Sequence, residues 1–191
     1  MKAILKVIQL HNNNTELISK AAKNNREAQH VLYEIHAPKM LSVCRYYIKD
    51  VQKAEEVMLN GFFKAFTNLK SFKNLGSFEG WLRKIMVREA ISFLRQQKQI
   101  EFSVEEVTMP HDYANNINTE IEMAELQKLI DELPEGYKMV FVMYAIEGYK
   151  HHEIAELLNI SEGTSKSQLF KARQMLQENI KKLNTSSYGT N

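Results

Sequence analysis

The stretch HHEIAELLNISEGTSKSQLFKAR, residues 151–173, predicts two short helices joined by a tight turn. In its first half, Ile154 and Leu158 recur at the spacing of a helix that packs on a core. Asn159 is a suitable left-handed C-cap, and Ser161 is a suitable N-cap for the helix that follows. The stretch is therefore typical of a helix-turn-helix.

The second of these helices begins with Gly and hydroxylated residues, although Ala, Leu or Glu would favour a helix more strongly. Polar and cationic side chains lie between its apolar positions, so the helix is suited to the major groove of DNA. An ordinary helical hairpin with a solvated face stays open at this point, because short helix-turn-helix patterns also arise by chance. The candidate contacts are Thr164, Lys166, Ser167, Gln168, Lys171 and Arg173.

Composition favours an almost entirely helical protein with room for one large or two small domains. The 191 residues include only 7 Gly and 3 Pro, and 44% are hydrophobic. The net charge of +2 is unevenly distributed, because residues 1–97 carry 16 basic and 8 acidic residues, whereas residues 98–133 carry 2 and 9. We expect a basic, nucleic-acid-binding front half followed by an acidic connector.

The single cysteine, Cys44, excludes an intramolecular disulfide and favours a reducing, cytoplasmic location. Its apolar surroundings indicate a small buried residue rather than a nucleophile. The N-terminal apolar run is short and interrupted by Lys6, so we expect neither a signal peptide nor membrane insertion.

Residues 50–72, DVQKAEEVMLNGFFKAFTNLKSF, contain the most regular helical pattern in the chain, and Asp50 is a suitable cap. Opposite the apolar stripe, Leu59 and Phe63 occur beside Glu56 and Asn60, where a solitary domain normally shows charge. Either a docking surface or coverage by another helix of the same domain explains this pattern.

A further helix is predicted from Ser77, its N-cap, through FEGWLRKIMVREAISFLRQQK. At about 100° per residue, one aromatic residue and several polar or cationic residues share a face. Because solvation alone does not call for Trp among cations, contact with unstacked bases and phosphates is favoured over a solvated charged face. This face comprises Trp81, Lys84, Arg88, Ser92 and Arg95.

Other elements follow from breaks in the pattern. A short helix is predicted over residues 15–23, and a helix is predicted to begin near Pro38, which suits a first helical turn. Residues 98–118 lack a sustained period and predict a flexible linker. After it, helices are predicted over residues 120–131 and 134–147.

The predicted fold is all-α, with two small helical domains joined by a flexible linker and a helix-turn-helix in the C-terminal one. The expected ranges are residues 1–97, 98–118 and 119–191.

Three of these stretches together resemble bacterial RNA polymerase sigma factors of the extracytoplasmic-function (ECF) type, within the sigma-70 family. AEEVMLNGFFKAF, residues 54–66, is similar to the family's core-polymerase-binding helix. GSFEGWLRKIMVREAISFLR, residues 76–95, is similar to its promoter-melting and minus-ten-reading helix. LPEGYKMVFVMYAIEGYKHHEIAELLNISEGTSKSQLFKAR, residues 133–173, is similar to its fourth conserved region.

The resemblance implies a sigma factor that binds core polymerase and directs promoter recognition and DNA opening. The residues implied to dock on the clamp helices of the largest polymerase subunit are Glu55, Glu56, Leu59, Asn60 and Phe63. Those implied to capture a flipped base and the non-template strand of the minus-ten element are Lys70, Lys73, Asn74, Trp81, Lys84, Arg88, Ser92 and Arg95. Phe170 joins the candidates on the helix-turn-helix, which would read the minus-thirty-five element as duplex.

The implied partners are core RNA polymerase, through its clamp helices and flap, and promoter DNA. An anti-sigma protein or a separate DNA-targeting recruiter is a further candidate partner. The resemblance also implies a monomer outside the holoenzyme, with no cofactor and no metal ion.

Some positions depart from the family pattern. Relatives usually have Asp, Gln and an acid where this chain has Glu56, Leu59 and Asn60, and often Asn and Asp where it has Arg88 and Ser92. Two hypotheses follow: an altered promoter preference, or recruitment to DNA by a separate protein.

Two other function classes compete with this interpretation. A helix-turn-helix regulator that does not engage polymerase would not need exposed Leu59 and Phe63. An enzyme acting on nucleic acid would need a ligand set or a paired nucleophile and base. The adjacent His151 and His152 point about 100° apart on a helix and lack partners at ligand spacing, so we expect neither an enzymatic active site nor a metal site.

Overall fold

The computed structural model describes residues 15–97, 102 and 123–187. Every regular element in these ranges is helical, and the chain divides into two compact units, Met1–Phe93 and Leu94–Asn191. The all-α prediction with two helical domains is confirmed. Apart from residue 102, the predicted linker lies outside the described residues, and the domain boundaries that we inferred stay predictions.

The N-terminal unit contains four α-helices and one short 3-10 helix among its described residues. Residues 15–22 (α1) are helical, as the sequence pattern predicts. They are followed by α2 (Arg26–Tyr47), α3 (Val51–Thr67), the 3-10 helix Leu69–Ser71 and α4 (Phe78–Gln96), whose last three residues belong to the second unit.

The prediction that a helix begins at Pro38 is wrong, because α2 runs through it without a break. A proline inside a helix costs about 3 kcal/mol or more. Leu32, Met40 and Tyr47 are fully buried on either side of it, and burying one large apolar side chain contributes about 1.5–3 kcal/mol. The packing of one continuous helix therefore outweighs the local cost of Pro38.

Side-chain caps define the starts of α3 and α4, as predicted. Asp50 Oδ1 accepts hydrogen bonds from the backbone N–H groups of Gln52 and Lys53, at 2.9 and 3.1 Å. Ser77 Oγ accepts one from the backbone N–H of Gly80 at 3.0 Å. These caps satisfy amide groups that the first turn of a helix leaves unpaired.

Close packing and ion pairs join α2, α3 and α4. An ideal Cβ placed on Gly61 of α3 would overlap Met86 Sδ of α4, so the two helices approach closely here and a larger residue would require Met86 to shift. Lys64 and Glu89 form an ion pair at 2.8 Å across the same pair of helices. Cys44 is fully buried, as expected, and burial raises the pKa of its thiol to about 12.

The C-terminal unit contains α5 (Met123–Asp131), α6 (Glu135–Phe141), a π-helical segment (Val142–Ile146), α7 (His151–Leu158) and α8 (Glu162–Ser187). The helix predicted over residues 134–147 is thus present, but its second half is π-helical. Gly148, at a φ of 74°, follows this segment, where a residue without a Cβ adopts the left-handed region most readily.

The helix-turn-helix forms as the sequence predicts. Asn159 adopts the left-handed region at φ 55° and ψ 51°, and ends α7. Ser161 Oγ then accepts a hydrogen bond from the backbone N–H of Thr164 at 2.9 Å, which caps α8. Helix α8 packs against α5, α6 and α7. Part of the core consists of Leu129, Leu133, Ala172 and Leu176.

Candidate protein and nucleic-acid interfaces

The surface of α3 that points away from the core is called the α3 outer face. Its two apolar members are largely exposed, Leu59 at 52% and Phe63 at 72%. The helical period places them opposite buried Val57 and Gly61. Within the part of the chain that the structure describes, no other helix covers them. The face comprises Glu55, Glu56, Leu59, Asn60 and Phe63, all exposed.

An open groove of about 500 Å³ between α2 and α3 borders this face. Leu59 lines it together with Tyr33, Leu41 and Met58, and Glu55 contributes a carboxylate. The α3 outer face therefore continues into a mostly apolar groove.

The cationic face of α4 is exposed in the way that its spacing predicts. Lys84, Arg88, Ser92 and Arg95 are exposed, and Trp81 is half-buried. A helix rises about 1.5 Å per residue, so Trp81 and Arg95 lie about 20 Å apart along it. This length suits several nucleotides rather than one.

Trp81 belongs to an aromatic cluster that the sequence reasoning did not foresee. The ring centroids of Phe72 and Phe78 lie 5.4 and 5.7 Å from that of Trp81. All three residues occur within ten positions, FKNLGSFEGW, which was an available signal. Edge and tilted contacts of this kind hold rings in place while leaving some of their surface accessible.

An open cavity of about 450 Å³ lies between this cluster and residues 71–77. Phe72, Trp81, Lys73 and Lys84 line it, so aromatic surface and positive charge meet at one place. Leu75, which the prediction also missed, lines it with 91% of its surface exposed. Predicted Lys70 and Asn74 are exposed in the adjoining segment but are not part of the lining.

The structure corrects the prediction for one residue of α8. Gln168 is only 1% exposed, because it lies three residues after buried Ser165 and four before buried Ala172, at the edge of the core. The prediction that Gln168 contacts DNA is therefore wrong. The other candidates, Thr164, Lys166, Ser167, Phe170, Lys171 and Arg173, are exposed or half-exposed.

Hydroxyl groups near the start of α8 already hold intramolecular hydrogen bonds. Ser161 Oγ and Thr164 Oγ1 are 2.9 Å apart, and Ser167 Oγ donates to the carbonyl of Gly163 at 3.0 Å. A Cβ on Gly163 would meet only Ser161 Oγ, at 3.5 Å, so the space around Gly163 is open. A phosphate or a base edge can thus approach the backbone closely at this position.

Four side chains connect the segment before α7, the start of α7 and α8. The rings of Tyr144 and His151 stack with centroids 4.7 Å apart and planes at 25°. His151 Nδ1 lies 2.9 Å from Ser165 Oγ, and the Arg173 guanidinium lies over the Tyr144 ring at 5.6 Å. Burial, with Lys166 and Arg173 adding to it against Glu162, lowers the pKa of His151.

In the described ranges, no group of three His, Cys, Asp or Glu side chains is arranged to hold a metal ion. No helix within those ranges has the length and the apolar character that crossing a bilayer requires.

Comparisons with known proteins match both units. Residues 32–100 match the family model of sigma-70 region 2, and residues 123–176 match that of sigma-70 region 4. The RNA polymerase sigma factor SigV of Bacillus subtilis is 28% identical over 136 residues, covering 71% of this chain and 81% of SigV. The ECF sigma factor SigW of the same species is 25% identical over 182 residues, covering 87% and 96%.

A solved structure has a similar fold. The sigma factor RpoE of Bartonella quintana, determined in complex with the anti-sigma factor NepR, superposes with a TM-score of 0.53 at 17% identity. The superposition covers 80% of this chain and 96% of RpoE.

Proposed function

This chain belongs to the sigma-70 family of RNA polymerase sigma factors, in its ECF group, and we propose how its surfaces divide the work of transcription initiation. In this proposal the N-terminal unit binds core polymerase and opens the minus-ten element, and the C-terminal unit reads the minus-thirty-five element. The observation that carries it is the order of region 2 and region 4 along one chain, each with exposed residues of fitting chemistry.

The α3 outer face docks on the clamp helices of the largest polymerase subunit. Leu59 and Phe63 supply apolar area that is exposed in the free protein, and Glu55 and Glu56 add charge around them. Burying each large apolar side chain contributes about 1.5–3 kcal/mol, so these two residues are central to the docking.

The cavity beside Trp81 accepts a base that has left the duplex. Its aromatic wall stacks on the base, and Lys73 and Lys84 attract the adjoining phosphates. Arg88, Ser92 and Arg95 extend the contact along the single strand. Stacking contributes about 1–3 kcal/mol per base, so capture of unstacked bases, without nucleotide hydrolysis, drives opening.

Helix α8 enters the major groove of the minus-thirty-five element. Gly163 and Thr164 bring the helix start close to the backbone, and Lys166, Phe170 and Lys171 face the duplex. Gln168 supports the helix from the core side instead.

The partners in this proposal are core polymerase, including its flap, and promoter DNA. RNA synthesis belongs to the polymerase, so the chain itself acts as a non-enzymatic factor. Its place of action in this proposal is the cytoplasm. An anti-sigma protein is a further partner, in line with the complex of RpoE and NepR. The departures from the family pattern leave two routes to DNA: an altered promoter preference, or delivery by a recruiting protein. These departures are Glu56, Leu59, Asn60, Arg88 and Ser92.

In-vitro transcription tests this assignment. Core polymerase with and without the chain is given templates with randomised minus-ten and minus-thirty-five elements, and the transcripts are sequenced. We expect core polymerase to initiate selectively when this chain is added and no recruiting protein is present. In the same assay, Trp81→Ala lowers opening about tenfold, measured by permanganate reactivity of unpaired thymines, whereas Trp81→Phe retains most of it.

The outcomes separate the alternatives. Binding to DNA without capture by core polymerase identifies a plain helix-turn-helix regulator and rejects the sigma assignment. Capture by core polymerase with unselective opening points to a recruiting protein instead of an altered promoter preference.

A further inference from the structure

Arg173 occupies a distinctive position on α8. It is exposed and shares a side of the helix with Lys166 and Phe170, which precede it by seven and three residues. Among the residues that the structure describes, its guanidinium contacts a ring, that of Tyr144, and no carboxylate. A guanidinium that rests on a ring keeps its in-plane N–H groups available to an anion.

The Tyr144 ring is itself held in place. It stacks on the imidazole of His151 at 4.7 Å, and His151 Nδ1 lies 2.9 Å from Ser165 Oγ. Ser165 is fully buried on the core side of α8. Two residues outside α8, His151 and Tyr144, therefore connect Ser165 and Arg173 of that helix through successive contacts.

Building on the function proposed above, we propose that Tyr144 is a positioning residue for DNA binding. Its ring, fixed by His151, holds the Arg173 guanidinium where it pairs with a backbone phosphate of duplex DNA. Arginine pairs with phosphate through two parallel hydrogen bonds, and a restrained guanidinium loses less freedom when it does so.

A phosphate is the expected ligand because Arg173 is exposed, shares its side of α8 with Lys166, and forms no ion pair with a carboxylate of the described residues. This assigns to Tyr144 and His151 a role that their sequence positions did not indicate, because both residues precede α8, the helix proposed to meet DNA.

The test measures duplex binding by holoenzyme assembled from core polymerase and the full chain. A random-sequence duplex serves as the probe, since a phosphate contact requires no particular base sequence. The proteins compared are the wild type, Tyr144→Phe, Tyr144→Leu, Arg173→Ala and the double variant Tyr144→Leu with Arg173→Ala.

We expect Tyr144→Phe to bind within twofold of the wild type, because it keeps the ring. Tyr144→Leu weakens binding about fivefold, and Arg173→Ala weakens it at least as much and lowers the salt slope by about 0.9. In the Arg173→Ala background, Tyr144→Leu has no further effect. Equal weakening by Tyr144→Leu in both backgrounds overturns the proposal, because it indicates a general structural role.

A second measurement needs no DNA. In the free full chain, NMR relaxation of the Arg173 Nε–Hε group reports a restrained side chain in the wild type and in Tyr144→Phe, and a mobile one in Tyr144→Leu. Equal mobility in all three overturns the positioning role. Failure of the wild type to bind core polymerase rejects the proposed sigma function instead, and this relaxation measurement still decides whether Tyr144 restrains Arg173.

Discussion

Helices α3 and α8 present their exposed residues in opposite ways. On the α3 outer face, Leu59 and Phe63 are exposed, and no described residue forms a hydrogen bond or ion pair with the side chains of the face. On α8, Thr164, Ser167 and Arg173 already contact other groups of the same unit.

The difference indicates two kinds of binding. An apolar face gains free energy when its area leaves water, and this gain depends little on salt. A cationic helix that meets DNA releases counterions, so its affinity falls steeply as salt rises. Helical period places Leu59 and Phe63 on one side of α3, whereas Arg173 on α8 also contacts a ring from another element, that of Tyr144.

Charging the α3 outer face should produce the largest effect. Leu59→Glu with Phe63→Glu should lower the affinity for core polymerase at least 100-fold, because each burial contributes about 1.5–3 kcal/mol. Fluorescence anisotropy of labelled chain titrated with core polymerase measures this.

The thermal midpoint of that double variant should match the wild type, since both side chains are exposed. Val51→Glu is the matched control, because Val51 is 51% exposed at the edge of α3 and about 80° away from Leu59 around it. Wild-type affinity in the double variant would remove the α3 outer face from the polymerase interface.

On α8, removing one charge should have a smaller and salt-dependent effect. Lys166→Ala is expected to weaken duplex binding about fivefold to tenfold and to lower the salt slope by about 0.9, because it removes one phosphate contact. Electrophoretic mobility shift at several salt concentrations measures both quantities. Lys128→Ala, at an exposed position of α5, is the control, and an identical slope in both variants would contradict the assignment.

A substitution on the core-facing side of α3 tests how tightly this helix packs against α4. Gly61→Ala should lower the free energy of unfolding by about 1 kcal/mol, because overpacking costs about 1–3 kcal/mol and alanine regains about 1 kcal/mol of helix propensity. Urea denaturation measures the change. In a Met86→Ala background the atom that the added Cβ would overlap is absent, so Gly61→Ala should stabilise the chain. A loss in both backgrounds would locate the strain elsewhere.

Acid should produce the smallest effect, and it acts on both units in the same direction. Burial lowers the pKa of His36 below its usual 6.5, with Glu79 opposing this and Lys39 adding to it, and burial likewise lowers the pKa of His151. As the pH falls below about 6.5, the unfolded chain takes up these protons more readily than the folded chain, so the stability present at neutral pH declines.

Thermal unfolding between pH 7.5 and 5 measures this decline. His36→Leu should flatten it in part, leaving the contribution of His151. His30→Leu, at an exposed position of the same helix, is the control. A decline as steep in His36→Leu as in the wild type would exclude His36 as a source.

Much of the fold and some of each surface followed from local pattern. The caps at Asp50, Ser77 and Ser161 and the left-handed Asn159 were predicted because capping depends on neighbouring residues only. For Leu59 and Phe63 the sequence left two explanations open, a docking surface or coverage by another helix of the same domain. Both side chains are exposed in the structure.

The misses share a different origin. Local rules predict a helix start at Pro38 because they ignore the packing that holds α2 together. Polarity alone predicts a DNA contact for Gln168, whereas its place between Ser165 and Ala172 on α8 buries it.

Local pattern in the sequence determined most of the helices, the caps at Asp50, Ser77 and Ser161, and the core-facing side of α3 and α4, because these depend on residues three or four positions apart. Phe72 and Trp81 line one cavity, although they lie within ten positions of each other. Packing between elements decided that Tyr144 meets Arg173 and that His151 meets Ser165. Such contacts depend on how segments distant along the chain pack together, and hydrophobic burial, which drives that packing, is not directional.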